Sequence, residues 1–224
     1  MSASKTFKFA GSTIAVLTGF DADSPSLAIT AITQANPGVV ESAGHGLVDG
    51  AVVKLSNIVG MIELNDEVFV VDVVDDNTFQ LVNQDTTSYT AYASGGNIDV
   101  ASFSNFCELT GYNRQGGSSP EIDSTSLCSD AAEYELGLPD FGTTQLDFKF
   151  APRTAIQIAI ADFYSGANKG NKMAVRVDLP RSGGRMVQLG FIQQTSEAAQ
   201  VGGIWTGSMT IRNTGERIDF AAAA

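Results

Sequence analysis

A mainly β fold carrying one α-helix is what this sequence predicts, on three grounds. Thr, Val, Ile, Gly and Ser dominate the composition while the helix-favouring Leu, Glu, Lys and Arg are sparse. Apolar residues recur in short runs, several with strict alternation. Gly, Pro, Asn and Asp fall between those runs at the spacing of tight turns.

Taken in order, Thr6-Phe7-Lys8-Phe9-Ala10 and Thr13-Ile14-Ala15-Val16-Leu17 read as one or two opening strands, followed by a loop at Asp23, Ser24 and Pro25. Lys5 and Lys8 before an apolar stretch imitate a secretion signal, but Gly11, Ser12 and Thr13 interrupt it, and a strand is the expected reading. Strand candidates then crowd residues 29–32, 39–41, 52–55, 68–74 and 78–82. Asn36-Pro37-Gly38, Val48-Asp49-Gly50, Asp75-Asp76-Asn77 and Ser94-Gly95-Gly96 supply reversals between them, so this stretch predicts a compact barrel of five or six strands.

Residues 107–110 read as another strand, and residues 111–129 as a polar loop with Gly116-Gly117 and Pro120. That loop is longer than an ordinary connection, which implies order supplied by another subunit. Leu146, Phe148 and Phe150 alternate as one face of a strand. Ile156, Ala159, Ile160, Phe163 and Tyr164 then follow helical spacing between Pro152 and Gly166, predicting the one helix over about 153–165. Residues 173–179 and 185–194 flank a hairpin-like reversal at Pro180-Arg181-Ser182-Gly183-Gly184, and residues 204–212 and 217–220 complete the strands.

Composition also narrows the function. No apolar run approaches the roughly 18 residues needed to span a bilayer, so no membrane role is expected. The net charge of −12 is distributed unevenly. Residues 28–101 hold ten acids and one base, residues 102–147 eight and one, and residues 148–224 five and nine. No dense basic stripe for gripping nucleic acid is present. Cys107 and Cys128 are too few for a disulfide scaffold and lack zinc spacing, so they are expected as small buried residues in a reduced compartment, with a pairing between them left open should the fold bring them together.

Catalytic patterns fail one by one. His45 is the single histidine, and in Gly44-His45-Gly46-Leu47 it is expected to bond local backbone rather than serve as a base or a metal ligand. Residues 166–172 are rich in Gly and Lys but lack the phosphate-loop spacing. Asp72, Asp75, Asp76, Glu133 and Glu135 do not match a calcium loop and read as solvated turn and edge charges. Trp205, between Gly203 and Gly207, reads as a core or interface anchor. Neither an enzymatic activity nor a cofactor is expected.

The stretch Ile122-Asp123-Ser124-Thr125-Ser126-Leu127-Cys128-Ser129-Asp130, followed by Tyr134-Glu135-Leu136-Gly137-Leu138-Pro139-Asp140-Phe141-Gly142 and the strand at residues 144–150, resembles a feature of siphovirus-type tail tube proteins of long-tailed bacteriophages. The single helix after that strand and the closing Trp205-Thr206-Gly207-Ser208-Met209-Thr210-Ile211-Arg212 follow the same family order. The resemblance implies a tail-tube-type β-sandwich formed by residues 1–27 and 100–224. Residues 28–99 interrupt it as an inserted small β-domain. Through His45-Gly46-Leu47, Asp49-Gly50, Gly60-Met61, Leu64-Asn65 and Asn77-Thr78-Phe79, and at Gly95-Gly96, the insert is similar to a β-barrel module of phage structural proteins that has been likened to a β-domain of ubiquitin-activating enzymes.

Further implications of the resemblance are expectations. They are hexameric rings stacked into a hollow tube, built in the host cytoplasm and resident in the virion tail, through which DNA passes without specific binding. The implied partners are further copies of the chain and other tail proteins such as the tape measure, tail terminator and distal tail proteins. Asp123, Thr125, Leu127, Gly137, Leu138, Asp140 and Gly142 would make contacts between subunits. The rival reading is a surface adhesin or carbohydrate-binding β-sandwich.

Overall fold

The computed structural model describes residues 9–20 and 27–221, and the chain divides into two units. One comprises Met1–Phe106, Ala174–Val187 and Arg217–Ala224, the other Cys107–Met173 and Gln188–Glu216. The fold is mainly β, with antiparallel pairing throughout the described strands and one α-helix among the described residues. Thr6, Phe7 and Lys8 of the expected first strand, and Asp23, Ser24 and Pro25 of the loop, lie outside the described residues.

In the first unit, β1 (Thr13–Phe20) buries four successive residues, Ile14 to Leu17, so both of its faces are covered. The next elements are β2 (Leu27–Ala28), β3 (Ala31–Ile32), β4 (Val39–Glu41), β5 (Val52–Val59), β6 (Val68–Val73), β7 (Thr78–Leu81) and β8 (Ser94–Asn105). The expected single strand over 29–32 is in fact two pieces with different partners. β2 pairs with β8 and Ile29 bonds Gly96, whereas Thr30 bonds Glu41 and β3 pairs with β4. Since β4 also pairs with β7, β7 with β6, β6 with β5 and β5 with β8, the ring of pairing closes. Closure leaves the small barrel no open edge through which to aggregate.

The barrel is filled by Ile29, Ile32, Val40, Val53, Leu55, Ile58, Met61, Leu64, Phe69, Val71, Phe79, Leu81 and Ile98. Each such side chain contributes about 1.5–3 kcal/mol of burial, so residues 29–98 carry a hydrophobic core of their own. Ser94-Gly95-Gly96, expected as a turn, is instead the start of the long strand β8. Gly96 takes a positive φ there, and a Cβ on it would lie 2.9 Å from the Ile29 side chain. Glycine at this place lets the strand cross the core rather than reverse.

His45 behaves as its local sequence predicts. It is buried, its Nδ1 accepts the Leu47 N–H at 3.0 Å, and its Nε2–H therefore donates to the Asp75 carbonyl at 3.0 Å. The ring also packs edge-on against Phe79, 5.3 Å between centroids. One side chain thus ties the 44–47 loop to the Asp75 turn, whose carboxylate caps the Asn77 and Thr78 N–H groups.

The second unit is built from β9 (Leu109–Gln115), β10 (Glu121–Asp123), β11 (Tyr134–Leu136), β12 (Thr143–Lys149) and α1 (Ala155–Ser165), to which later strands return. β13 (Met173–Asp178) pairs with β1 in the first unit. β14 (Arg185–Ala198) begins in the first unit, where it pairs with β16 (Ile218–Phe220), and continues into the second. β15 (Thr206–Asn213) joins β14 to β12, and β12 pairs with β9. Residues 111–115, expected as loop, belong to β9 because their backbone completes the ladder with β12. The helix buries Ile156, Ala159, Ile160 and Phe163 and stops at Gly166, whose N–H bonds the Asp162 carbonyl.

The expectation of buried cysteines is wrong. Both are free and exposed. Cys107 follows Phe106, which takes the buried position in the turn, and Cys128 lies in a turn where residues 120–128 are all exposed. Trp205 is likewise 56% exposed rather than core, with its ring 5.8 Å from that of Phe150.

Replacing His45 with Ala removes both loop-closing bonds and leaves two backbone groups without partners. The unfolding free energy in urea is expected to fall by roughly 2–4 kcal/mol; a loss under about 0.5 kcal/mol, the scale of a surface change, would contradict this role.

Candidate functional site

Residues 116–142 form an arm between β9 and β12, and its base is built most firmly. The buried Thr144 hydroxyl donates to Asn213 Oδ1 at 3.0 Å, while Asn213 donates from Nδ2 to the Phe141 carbonyl and from its backbone N–H to Gly142. Asp140 pairs with Arg212 at 2.9 Å and accepts the Gly142 N–H at 2.9 Å. The ion pair is half exposed and so contributes little, under about 1 kcal/mol; its role is direction. Gly142 has φ +75°, and a Cβ there would sit 2.2 Å from the Gln115 carbonyl. Only glycine fits without moving the backbone.

Above the base the two rails of the arm bond to each other. Asp140 donates to Ser118 and Gly137 to Pro120, and β10 pairs with β11 in the register Glu121↔Leu136, Ile122↔Glu135, Asp123↔Tyr134. Ser124 then donates to the Glu133 carbonyl at 2.9 Å, and Glu133 donates to the Thr125 hydroxyl at 3.0 Å. The Asp123 carboxylate accepts the Thr125 N–H at 2.9 Å. The Thr125 hydroxyl and amide beside it hold that carboxyl below its ordinary value. The loop expected to need another subunit for its order therefore satisfies much of its backbone internally.

What the arm lacks is cover. Every residue of β10 and β11 is exposed. Directly paired residues share a face and alternate residues along a strand do likewise. Tyr134 and Leu136 therefore share an apolar face beside Asp123 and Glu121, and Leu138 follows just beyond the end of the strand. Their exposures are 62%, 76% and 89%, and Leu127 at the tip is fully exposed. Ile122 lies on the opposite face with Glu135. A two-stranded ribbon with no core is marginal by itself, and a contiguous exposed apolar stripe marks a surface that binds something.

The seven residues expected at subunit contacts thus separate into two groups. Asp123, Thr125, Gly137, Asp140 and Gly142 shape the arm, whereas Leu127 and Leu138 are presented by it. Tyr134 and Leu136 fall within the second motif but not among the seven expected contacts, although the alternation Glu133-Tyr134-Glu135-Leu136 carries the period of a strand with one apolar face.

The same unit carries a groove of about 400 Å³ between α1 and strands β12 and β14, lined by Phe148, Phe150, Ile158, Ile160 and Tyr164 among others. Gln157 is buried and fixes its floor, donating to the Lys149 carbonyl at 2.9 Å and accepting the Ala151 N–H at 2.8 Å. Ile158 and Tyr164 are exposed at its edge. A larger cavity in the first unit, about 620 Å³, is lined by Asp49, Asp178 and Arg185. Its charges answer each other, with Arg185 donating to Asp178 at 2.7 Å. Among the described residues no three His, Cys, Asp or Glu side chains come together to hold a metal, and no helix is long and apolar enough to cross a membrane.

Residues 35–101 match the FCCH domain of ubiquitin-activating enzyme E1. No curated protein matches the chain. Among solved structures the chain is similar to the SPP1 tail tube, determined by solid-state NMR with cryo-EM, at 14% identity over 55% of this chain and 70% of that one, with a TM-score of 0.42.

Two outcomes follow from the arm's construction. Gly142→Ala places a side chain in left-handed backbone at a cost of about 1–2 kcal/mol before any clash, and amide exchange across residues 118–140 should quicken while that of β12 and β15 does not; unchanged exchange in the arm would contradict the role of the base. Because folding lowers the Asp123 pKa, its contribution is complete above the ordinary carboxylate range and is lost as pH falls through the lower folded value. Acidification through that range should lower the protection of residues 123–133 relative to intrinsic exchange rates in the wild type, and Asp123→Asn should remove that part of the pH dependence.

Proposed function

We propose that this chain is a structural protein of a long-tailed bacteriophage tail, a tail tube protein with an inserted β-domain at residues 28–99. On this reading it has no catalytic role. Copies close into hexameric rings and the rings stack into the hollow conduit for DNA, assembled in the host cytoplasm and carried in the virion. Tape measure, tail terminator and distal tail proteins would bind the tube, and DNA would touch it only in transit.

The observation that carries the reading is the arm, whose apolar stripe no part of its own ribbon covers. The ordered residue motifs at 123–129, 136–142 and 205–212 support it from the sequence side. Burying the three stripe residues yields about 5–9 kcal/mol, while association costs an estimated 4–15 kcal/mol in lost freedom. One arm contact alone is therefore marginal, and a ring, in which every copy gives and receives contacts, is the way to make it stable. A head-to-tail contact that does not close propagates as a filament.

The FCCH-domain match at residues 35–101 and the separate core between Ile29 and Ile98 support reading 28–99 as an insert. No ubiquitin chemistry follows from that likeness, since function resides in a site and not in a fold. In the rival reading, as a carbohydrate-binding protein, exposed Trp205 beside Phe150 would stack on a sugar. Glycan binding by a monomer that never assembles would favour it.

Purified protein should form rings or tubes visible by negative-stain electron microscopy. If charge steers their growth, raising the ionic strength from about 0.1 M to 1 M shortens the screening length from about 10 Å to 3 Å and should slow polymerisation. Growth indifferent to salt would count against steering, and monodisperse particles of single-chain size at high concentration against the tube itself.

A further inference from the structure

We infer that the groove between α1 and strands β12 and β14 receives an arginine side chain of a partner polypeptide, with Glu197 pairing the guanidinium and the aromatic walls taking its face. The inference goes beyond the tail-protein reading and does not rest on self-assembly.

Strand register builds the recess. Phe148 of β12 and Glu197 of β14 both lie directly opposite Gly207 of β15, so their side chains stand on one face of the sheet with a glycine between them. A Cβ at position 207 would strike the Phe148 ring. Glycine there lets the ring reach across β15 toward Glu197, which brings an aromatic surface and a carboxylate to the same floor. Phe150 and, from the helix, Ile158 and Tyr164 complete the walls.

Charge and polarity select the occupant. Glu197 is the one charged residue among those that line the groove. Lys149 follows Phe148 along β12 and so projects from the opposite face of the strand. Among the described residues no hydrogen bond or ion pair engages the Glu197 carboxylate. Most other polar groups of the lining are already engaged: Gln157 bonds Lys149 and Ala151, the Ser165 hydroxyl donates to the Ala161 carbonyl, and Ser196 pairs with Ser208. A neutral sugar therefore finds few free partners, and an anion meets like charge. A guanidinium fits what remains. It is planar, stacks on aromatic rings and pairs side-on with a carboxylate, while its methylene stem lies along apolar surface. The volume of about 400 Å³ is at the small end of ligand pockets, suited to a long side chain rather than to a folded element.

Ligand-observed saturation-transfer NMR on the full-length protein tests this whatever its state of assembly. The probes are N-acetyl-arginine amide, its neutral isostere N-acetyl-citrulline amide, and glucose. The arginine probe should bind saturably and about twofold to fivefold more tightly than the citrulline probe, the scale of one exposed charge pair. Glu197→Gln should erase that preference, and Glu135→Gln, at an exposed carboxylate of the arm, should leave it intact. Both changes are at exposed positions, so the fold is kept. No saturable arginine binding, equal binding of the two isosteres, or a preference that survives Glu197→Gln would overturn the inference. Binding of glucose in place of arginine would overturn it in favour of a sugar site.

Discussion

The constraint on which this molecule turns is an imbalance within the arm. Its backbone is largely satisfied by ribbon pairing and by the Asn213, Asp140 and Gly142 base, but its apolar side chains have nothing beneath them. Hydrogen bonds give the ribbon a definite shape without giving it a core, and a ribbon of two strands cannot bury both faces by folding on itself. Shape without cover is what a contact element between molecules needs: the side chains are presented in fixed order, so less ordering entropy remains to be lost on binding.

The second unit supplies the support on which the arm stands. The sheet of β9, β12, β15 and β14 anchors both ends of the arm, and Gln157 locks the β12 to α1 connection so that the helix edge stands in a set place. The small barrel of the first unit solves a different problem. It removes its own strand edges by closing, and its interior is filled by side chains between Ile29 and Ile98 with Leu27 packed against them.

Much of this was legible in residues. Alternation marked Leu146 and Phe148 as one buried face, helical spacing with Pro152 and Gly166 bracketed the helix, and the Gly-His-Gly-Leu context placed His45 in a backbone-bonded turn. Other features resisted reading for physical reasons. Gly95-Gly96 looks like a turn, and only the closeness of Ile29 and Ile58 reveals that glycine is there to let two layers touch. Cys107, Cys128 and Trp205 are residue types that usually sit inside, and each is outside because it falls in a connection with no layer below. The length of the arm exceeds an ordinary connection, yet its division into shaping and presenting residues depends on strand register, which sequence spacing alone does not determine.

Sedimentation velocity of the full-length chain over a wide range of concentrations tests the central claim most directly, because it asks whether the uncovered stripe finds a partner. The account predicts that the 23.5 kDa species gives way, as concentration rises, to discrete larger particles, and that Leu136→Asp with Leu138→Asp abolishes the shift while leaving the circular dichroism spectrum unchanged. A single species of monomer size at every concentration, indifferent to those substitutions, would contradict it.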